Sequence, residues 1–336
     1  MIKKIYVNEK RVSVEYAYQM FKKGKLSFPE TPLLTKKRMQ ERLSETVELI
    51  LLGVAVPVIY VAELQDGSWL VLEATDRLRM LFRFLDGDGN LGYMDMYPEH
   101  TGMSLGQMEM EAPDITSMIY GYNLQFQIID YMTPRYLQLQ VGSYLERWNF
   151  SREQGARNAL YRDYDAVLLL ELLAKQLDKT TFFFSSSKLN RHYMILRIYM
   201  YRLVFQEISI PDKGSQAGIQ LLLDSTMELL DFRIKERTEG FVAKEFKQVT
   251  EAVVKLEKNE GIVKKMMANR GKEPQVRRLA YLFNLTWLAM DGKISWLRYD
   301  ELLSSENLWE RIEKDDVNYD NIRQHYDMIL KDRGSR

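Results

Sequence analysis

The chain contains no cysteine, which excludes disulfides, thiolate metal ligands and a cysteine nucleophile. Histidine is nearly as scarce: His100, His192 and His325 lie far apart, and none has a partner at metal-ligand spacing. Neither sign of charge is in excess, with Lys+Arg 47 against Asp+Glu 47. No global field therefore pulls the protein onto nucleic acid or membrane, and any such binding needs a local patch. No apolar run approaches the ~18 residues of a membrane span. Met1-Ile2-Lys3-Lys4-Ile5 lacks the apolar stretch of a signal peptide, so a cytoplasmic protein with no membrane partner is expected. What is present is ordinary for a folded chain: hydrophobic 46% and charged 28% over 336 residues, enough for two domains or for one with a large extension.

Alternating apolar and polar residues over 2–14 predict a short hairpin around Asn8-Glu9. Ser13 is placed to cap a helix that Gly24 stops. A second helix is predicted over 36–52, with Met39, Leu43, Val47 and Ile50 as its apolar stripe and Gly53 as its left-handed cap. Residues 57–85 then read as strand, hairpin, strand and helix. Val58-Ile59-Tyr60-Val61 forms a buried strand, Asp66-Gly67 supplies the turn and Trp69-Leu70-Val71-Leu72 returns. Leu78, Leu81, Phe82 and Leu85 recur at helical spacing from a start near Thr75. A polar loop over 88–114 and a strand over 124–129 follow, and from Thr133 the pattern is helical. Residues 167–173 are apolar nearly all round, which predicts a buried helix. Val242, Phe246, Val249, Val253 and Leu256 keep the spacing of an amphipathic seam. The fold class expected is α+β: a small α/β domain over 1–130, a helical extension over 131–180 and a helical domain over 181–336. A soft boundary is predicted near 179–187.

Two stretches carry a resemblance. Thr46-Val47-Glu48-Leu49-Ile50-Leu51-Leu52-Gly53-Val54-Ala55-Val56-Pro57-Val58-Ile59-Tyr60 leads into Val71-Leu72-Glu73-Ala74-Thr75-Asp76-Arg77-Leu78-Arg79-Met80-Leu81-Phe82-Arg83-Phe84-Leu85. Arg147-Trp148-Asn149 is followed by Gln154-Gly155-Ala156-Arg157-Asn158-Ala159-Leu160. In order and in motif these resemble the ParB/sulfiredoxin-like N-terminal domain of GmrSD-type restriction proteins, a family found also in stand-alone bacterial defence proteins. The resemblance implies a ParB-like α/β domain whose strand-to-helix junction holds the phosphate of a nucleotide or nucleic acid. It implies NTPase or nuclease activity as well. The family's D-G-Q-Q-R reads Glu73-Ala74-Thr75-Asp76-Arg77 in this chain, and its P-x-Y-Q-R element near Phe28 reads Pro29-Glu30-Thr31-Pro32. A glycine would let backbone amides approach phosphate; Ala74 adds a methyl group, and Asp76 puts a carboxylate where a neutral donor stands in the family. The H-N-H nuclease constellation of the family's larger members has no match here.

Each candidate has a functional and a plain reading. Glu73, Asp76 and Arg77 form a catalytic set if the two carboxylates hold Mg²⁺ and Arg77 clamps phosphate. Otherwise Asp76 complements the helix dipole and Arg77 pairs with Glu73. Arg147, Asn149, Gln154, Arg157 and Asn158 either complete a ligand pocket opposite Arg77 or brace the helices, with Ser151 and Gln154 spaced as a capping box. Lys264, Lys265, Arg270, Lys272, Arg277 and Arg278 form the densest basic stretch, a nucleic-acid patch or a solvated helix face. Asp86-Gly87-Asp88-Gly89-Asn90 is a turn and not a calcium loop, because Leu91 and Tyr97 stand where glycine and a bidentate glutamate are required. The tyrosine clusters (Tyr16 and Tyr18, Tyr120 and Tyr122, Tyr193, Tyr199 and Tyr201) either stack on bases or edge a core. The expectation is a diverged family member that binds nucleotide or nucleic acid without the family's catalysis. The alternatives are an active enzyme using Glu73, Asp76 and Arg77, and a helical interaction protein that forms a homodimer or joins a partner subunit through its helical half.

Overall fold

The computed structural model describes residues 5–31, 35–177, 187–206, 218–236, 240–259, 261, 263–264, 268 and 272–331. The chain divides into two compact units, Met1–Leu160 and Tyr161–Arg336. The division falls at the end of a helix carrying the second motif, so residues 131–160 go with the sheet. The stretch 179–186, where a soft boundary is predicted, lies outside the described residues.

The first unit is α+β. Its sheet holds β1 (Val7–Ser13), β2 (Leu26–Ser27), β3 (Ile59–Glu63), β4 (Trp69–Val71) and β5 (Asn123–Ile129), in the order β1-β5-β3-β4-β2. The pairs β1·β5 and β3·β4 are antiparallel, whereas β3·β5 and β2·β4 are parallel. The predicted hairpin over 2–14 is replaced by the single strand β1, with Asn8 and Glu9 inside the ladder opposite Ile128 and Gln127. Alternation reads the same whether a strand turns or continues, and Asn8-Glu9 lacks the glycine that a tight turn favours.

Helices α1 (Val14–Lys22), α2 (Lys36–Leu51) and α3 (Thr75–Leu85) form as their periodicity predicts. Ser13 accepts from the Tyr16 backbone N–H to cap α1, and Gly53 closes α2 at φ 65°. Leu43, Val47 and Ile50 of α2 are buried with Leu78, Leu81 and Phe82 of α3, in a core that reaches Ile59, Val71 and Phe126 of the sheet. Phe82 sits among Phe21 at 5.3 Å, Tyr18 at 5.8 Å and Phe28 at 5.9 Å, which fixes the strand-to-helix junction against the segment after β2.

The predicted polar loop over 88–114 contains a 3₁₀ turn at Pro98–His100, α4 (Leu105–Glu111) and the start of α5 (Pro113–Gly121). Short helices carry too few apolar positions for periodicity to register. Their signals are local: a Ser104–Gln107 capping box and a proline at the first turn of α5. Then come α6 (Arg135–Glu146) and α7 (Phe150–Leu160).

The second unit is helical: α8 (Asp165–Leu177), α9 (Lys188–Phe205), α10 (Ile219–Glu236), α11 (Phe241–Lys258), α12 (Lys272–Met290), α13 (Trp296–Leu303), α14 (Glu306–Lys314) and α15 (Tyr319–Leu330). α9 is the axis, packed against α8, α10, α12 and α15. Two expectations need correction. α8 is not buried all round, because Leu168 and Leu172 are 58% and 48% exposed. In α11 the buried seam takes Glu245 in place of Phe246. Glu245 is tolerated inside because Tyr199 and Arg202 both donate to it, at 2.9 and 2.7 Å. Among the described residues no helix is long and apolar enough to cross a membrane.

Gly155 of α7 lies so close to Glu30 that an added Cβ would stand 1.9 Å from its carbonyl oxygen. Gly155→Ala is expected to lower stability by about 3 kcal/mol or more, because the obstacle is backbone. Thermal unfolding measures it; an unchanged melting temperature would mean that α7 can back away from Glu30.

Candidate functional site

Three segments distant in sequence converge in the first unit: residues 28–31, the start of α3, and the stretch from the end of α6 into α7. Arg79 of α3 donates to the Thr31 hydroxyl at 2.9 Å and to the Pro29 carbonyl at 2.7 Å, and its guanidinium lies over the Phe28 ring. Arg152 of α7 donates to Asp76 of α3 and to Glu146 of α6. Gly155 seats α7 on Glu30.

The junction itself is strained. Ala74 precedes α3 at φ 60°, ψ 22°, the left-handed region where L-residues cost about 1–2 kcal/mol. No side chain caps the helix behind it, so the first backbone N–H groups of α3 have no capping partner. Among the described residues one other non-glycine has positive φ: Arg147, which ends α6 at φ 49°. Both therefore fall within the two motif stretches.

Glu73 is half-buried. Its pKa is pushed up to about 7, chiefly by loss of water and then by the nearby Glu146 carboxylate, against the opposing pull of Arg77 and the Ala74 N–H. Glu73 Oε2 is enclosed and accepts no hydrogen bond. Arg77 is partly exposed, but its Nη1 is enclosed and unpartnered. The plain reading of an Arg77–Glu73 ion pair is not what forms: among the described residues the two groups feel each other's field without an ion pair between them. Asp76 is spent on Arg152. Among the described residues no three histidine or acidic side chains converge as a cation site. Of the two carboxylates expected to hold Mg²⁺, Asp76 is paired with Arg152 and Glu73 keeps its proton up to about pH 7, so the residues as placed do not fit the metal.

The second motif divides. Asn149 caps α7, its side-chain oxygen accepting from the Arg152 N–H at 3.0 Å, a role predicted for Ser151 instead. Arg147 is exposed at its turn. Arg157 is 0% exposed. It donates to Glu153 at 2.9 Å and Gln154 at 3.0 Å, while Gln154 donates to Asn158 at 2.7 Å. These side chains bond to one another along α7. A buried guanidinium is tolerable only with such acceptors. Sequence reasoning missed Glu146 and Arg152; the one available signal was opposite charges flanking the Asn149 cap.

Elsewhere the predicted patch is broken. Arg277 donates to Glu273 and to the carbonyls of Ile312, Glu313 and Asp315. Arg278 is buried and pairs with Glu313. Lys264 is exposed, Lys272 opens α12, and Lys265 and Arg270 lie outside the described residues. Tyr193, Tyr199 and Tyr201 are buried, the first and last accepting from Arg197. They are core residues and not a stacking surface. His325 is sandwiched between Tyr281 and Asp315, at 2.7 and 2.9 Å.

Comparison adds no relative. No family model matches the chain, and no curated protein or solved structure matches it.

Two predictions follow from Glu73 and Ala74. Glycine adopts the left-handed region freely, so Ala74→Gly should raise stability by up to about 1 kcal/mol after the entropic cost of glycine. Chemical denaturation reads it, and a loss of stability would show that the methyl group packs more than it strains. Glu73 holds a proton in the folded state at pH values where the unfolded chain has released it. Stability therefore falls as pH rises from about 4.5 to about 7. Glu73→Gln should remove that slope and be more stable at pH 8 by roughly 1–2 kcal/mol, allowing for solvent screening. Parallel pH profiles for the two proteins would contradict it.

Proposed function

We propose that the Met1–Leu160 unit is a diverged ParB-like domain, similar to the N-terminal domain of GmrSD-type proteins. It binds a phosphate group of a nucleotide or nucleic acid and does not catalyse its cleavage. The setting we assign from that resemblance is bacterial defence or other DNA-related work in the cytoplasm. The observation that carries the reading is the uncapped start of α3 behind a left-handed Ala74, with Glu73 and Arg77 each partly exposed beside it. Below pH 7 the Glu73 carboxyl is protonated, and its O–H is a donor. Arg77, that O–H and the free amides of α3 together form a donor set for phosphate oxygens. Above pH 7 the carboxylate repels the same ligand. Catalysis is left out because Asp76 is bound to Arg152 and the family's glutamines and glycine are absent.

A second reading, a non-catalytic interaction protein, is favoured by Leu168 and Leu172, one turn apart and exposed on α8. In that case the charges around Glu73 are only a brace, and the helical half meets a second copy or a partner subunit.

Fluorescence anisotropy with a labelled oligonucleotide separates them. A phosphodiester does not titrate between pH 6 and 8, so any pH effect belongs to the protein. Binding is expected to weaken several-fold from pH 6 to 8. Arg77→Ala should cost about 10–100-fold, the worth of a hydrogen bond to a charged group. Glu73→Gln should retain binding and flatten the profile. No binding of oligonucleotide or nucleotide at either pH would leave the interaction protein.

A further inference from the structure

In the second unit a pocket of 310 Å³ opens where the end of α9 meets α12 and α15. That volume is at the small end of the range for small-molecule sites, about 300–1,000 Å³, which admits a ring system and excludes a large cofactor. Its construction is specific. Asn284 of α12, 2% exposed, donates its side-chain N–H groups to the Ile198 carbonyl at 3.1 Å and the Ala280 carbonyl at 2.8 Å. Turning the amide over would set oxygen against both carbonyls, so its orientation is fixed. The carbonyl oxygen, Oδ1, accepts no hydrogen bond from any described residue. It is also absent from the enclosed, unpartnered atoms of the fold, which leaves it reachable in a pocket that Asn284 lines.

The walls are aromatic and held in place. Trp287 is buried, and its indole N–H goes to the Gln248 carbonyl at 3.2 Å. Arg202 lies 4.3 Å over the Trp287 ring while donating to Glu245 and to the Gln248 side chain. Phe205 and Tyr326 stack at 4.7 Å. Charge in the pocket is balanced: Arg202 is met by Glu245, and the exposed rim carries Lys293 and Asp291, of opposite sign. Such a cavity offers an ionised ligand no net counter-charge, but it offers a donor one acceptor in largely apolar surroundings.

We propose that this pocket binds an uncharged planar nitrogen heterocycle of nucleobase size. Its N–H donates to Asn284 Oδ1, and its ring sits among Phe205, Trp287 and Tyr326. The site is independent of the phosphate reading for Glu73 and Arg77, because the probe chosen carries no phosphate.

The probe is 9-methyladenine, whose only N–H donors are on its exocyclic amine, compared by calorimetry on the full chain with its N6,N6-dimethyl analogue, which has none. Saturable binding of the first is expected, with the second at least about tenfold weaker because Asn284 Oδ1 then stays unpaired. Leu288→Trp, which fills the pocket from its lining, should abolish binding. If that variant does not fold, the pair of ligands still decides the matter. No saturable heat at millimolar 9-methyladenine, or equal affinity for the two compounds, overturns the proposal.

Discussion

The guanidinium of Arg152 binds carboxylates on two other helices at once, Asp76 at the start of α3 and Glu146 at the end of α6. Around it the first unit's charged interior is arranged. Removing it would leave Asp76 and Glu146 without their shared cation, and Glu146 is the carboxylate whose field already raises Glu73. Glu73, chiefly through burial and then through the Glu146 carboxylate, retains a proton near neutrality. The same pairing decides what the junction can do: it neutralises Asp76, so that the start of α3 is not closed to anions, and it removes Asp76 from metal chemistry.

The second unit handles buried charge in the same way, by giving each buried charge several partners. Arg197, 0% exposed, is met by two tyrosine hydroxyls and by Glu273. Glu245 inside α11 is met by Tyr199 and Arg202. Arg277 is consumed by carbonyls at the end of α14. Groups that read as an electropositive surface in the sequence are thereby turned inward. Beside these bonded groups, Asn284 Oδ1 is informative because it is reachable and accepts no hydrogen bond.

What was legible in the sequence was local. The stripe of α2, the Asp66-Gly67 turn and the helix through Leu78 and Leu85 all follow from periodicity and turn chemistry over a few residues. The junction's place after β4 was legible for the same reason. The chemistry there was not, because the bond between Arg152 and Asp76 joins residues 76 apart, and an ion pair over that separation leaves no trace in spacing. Nor does a left-handed alanine announce itself, since glycine is the residue that marks such a position. The patch at Arg277 and Arg278 failed for the converse reason: composition records charge but not the direction in which a helix points it. Glu245 was passed over because a seam is sought among apolar residues.

One edge of the sheet has a consequence for how the protein behaves in company. Among the described residues β1 has β5 on one side only, and its residues from Val7 to Arg11 are exposed. A seven-residue strand with open backbone groups is a template onto which another chain could add. Glu9, Lys10 and Arg11 occupy the middle of that edge, and Lys10 reaches across to lie 5.5 Å from the Trp69 ring. A second β1 arriving antiparallel would have to strip water from these charges and pull Lys10 off the indole it shields. The strand therefore ends the sheet by making its own continuation costly.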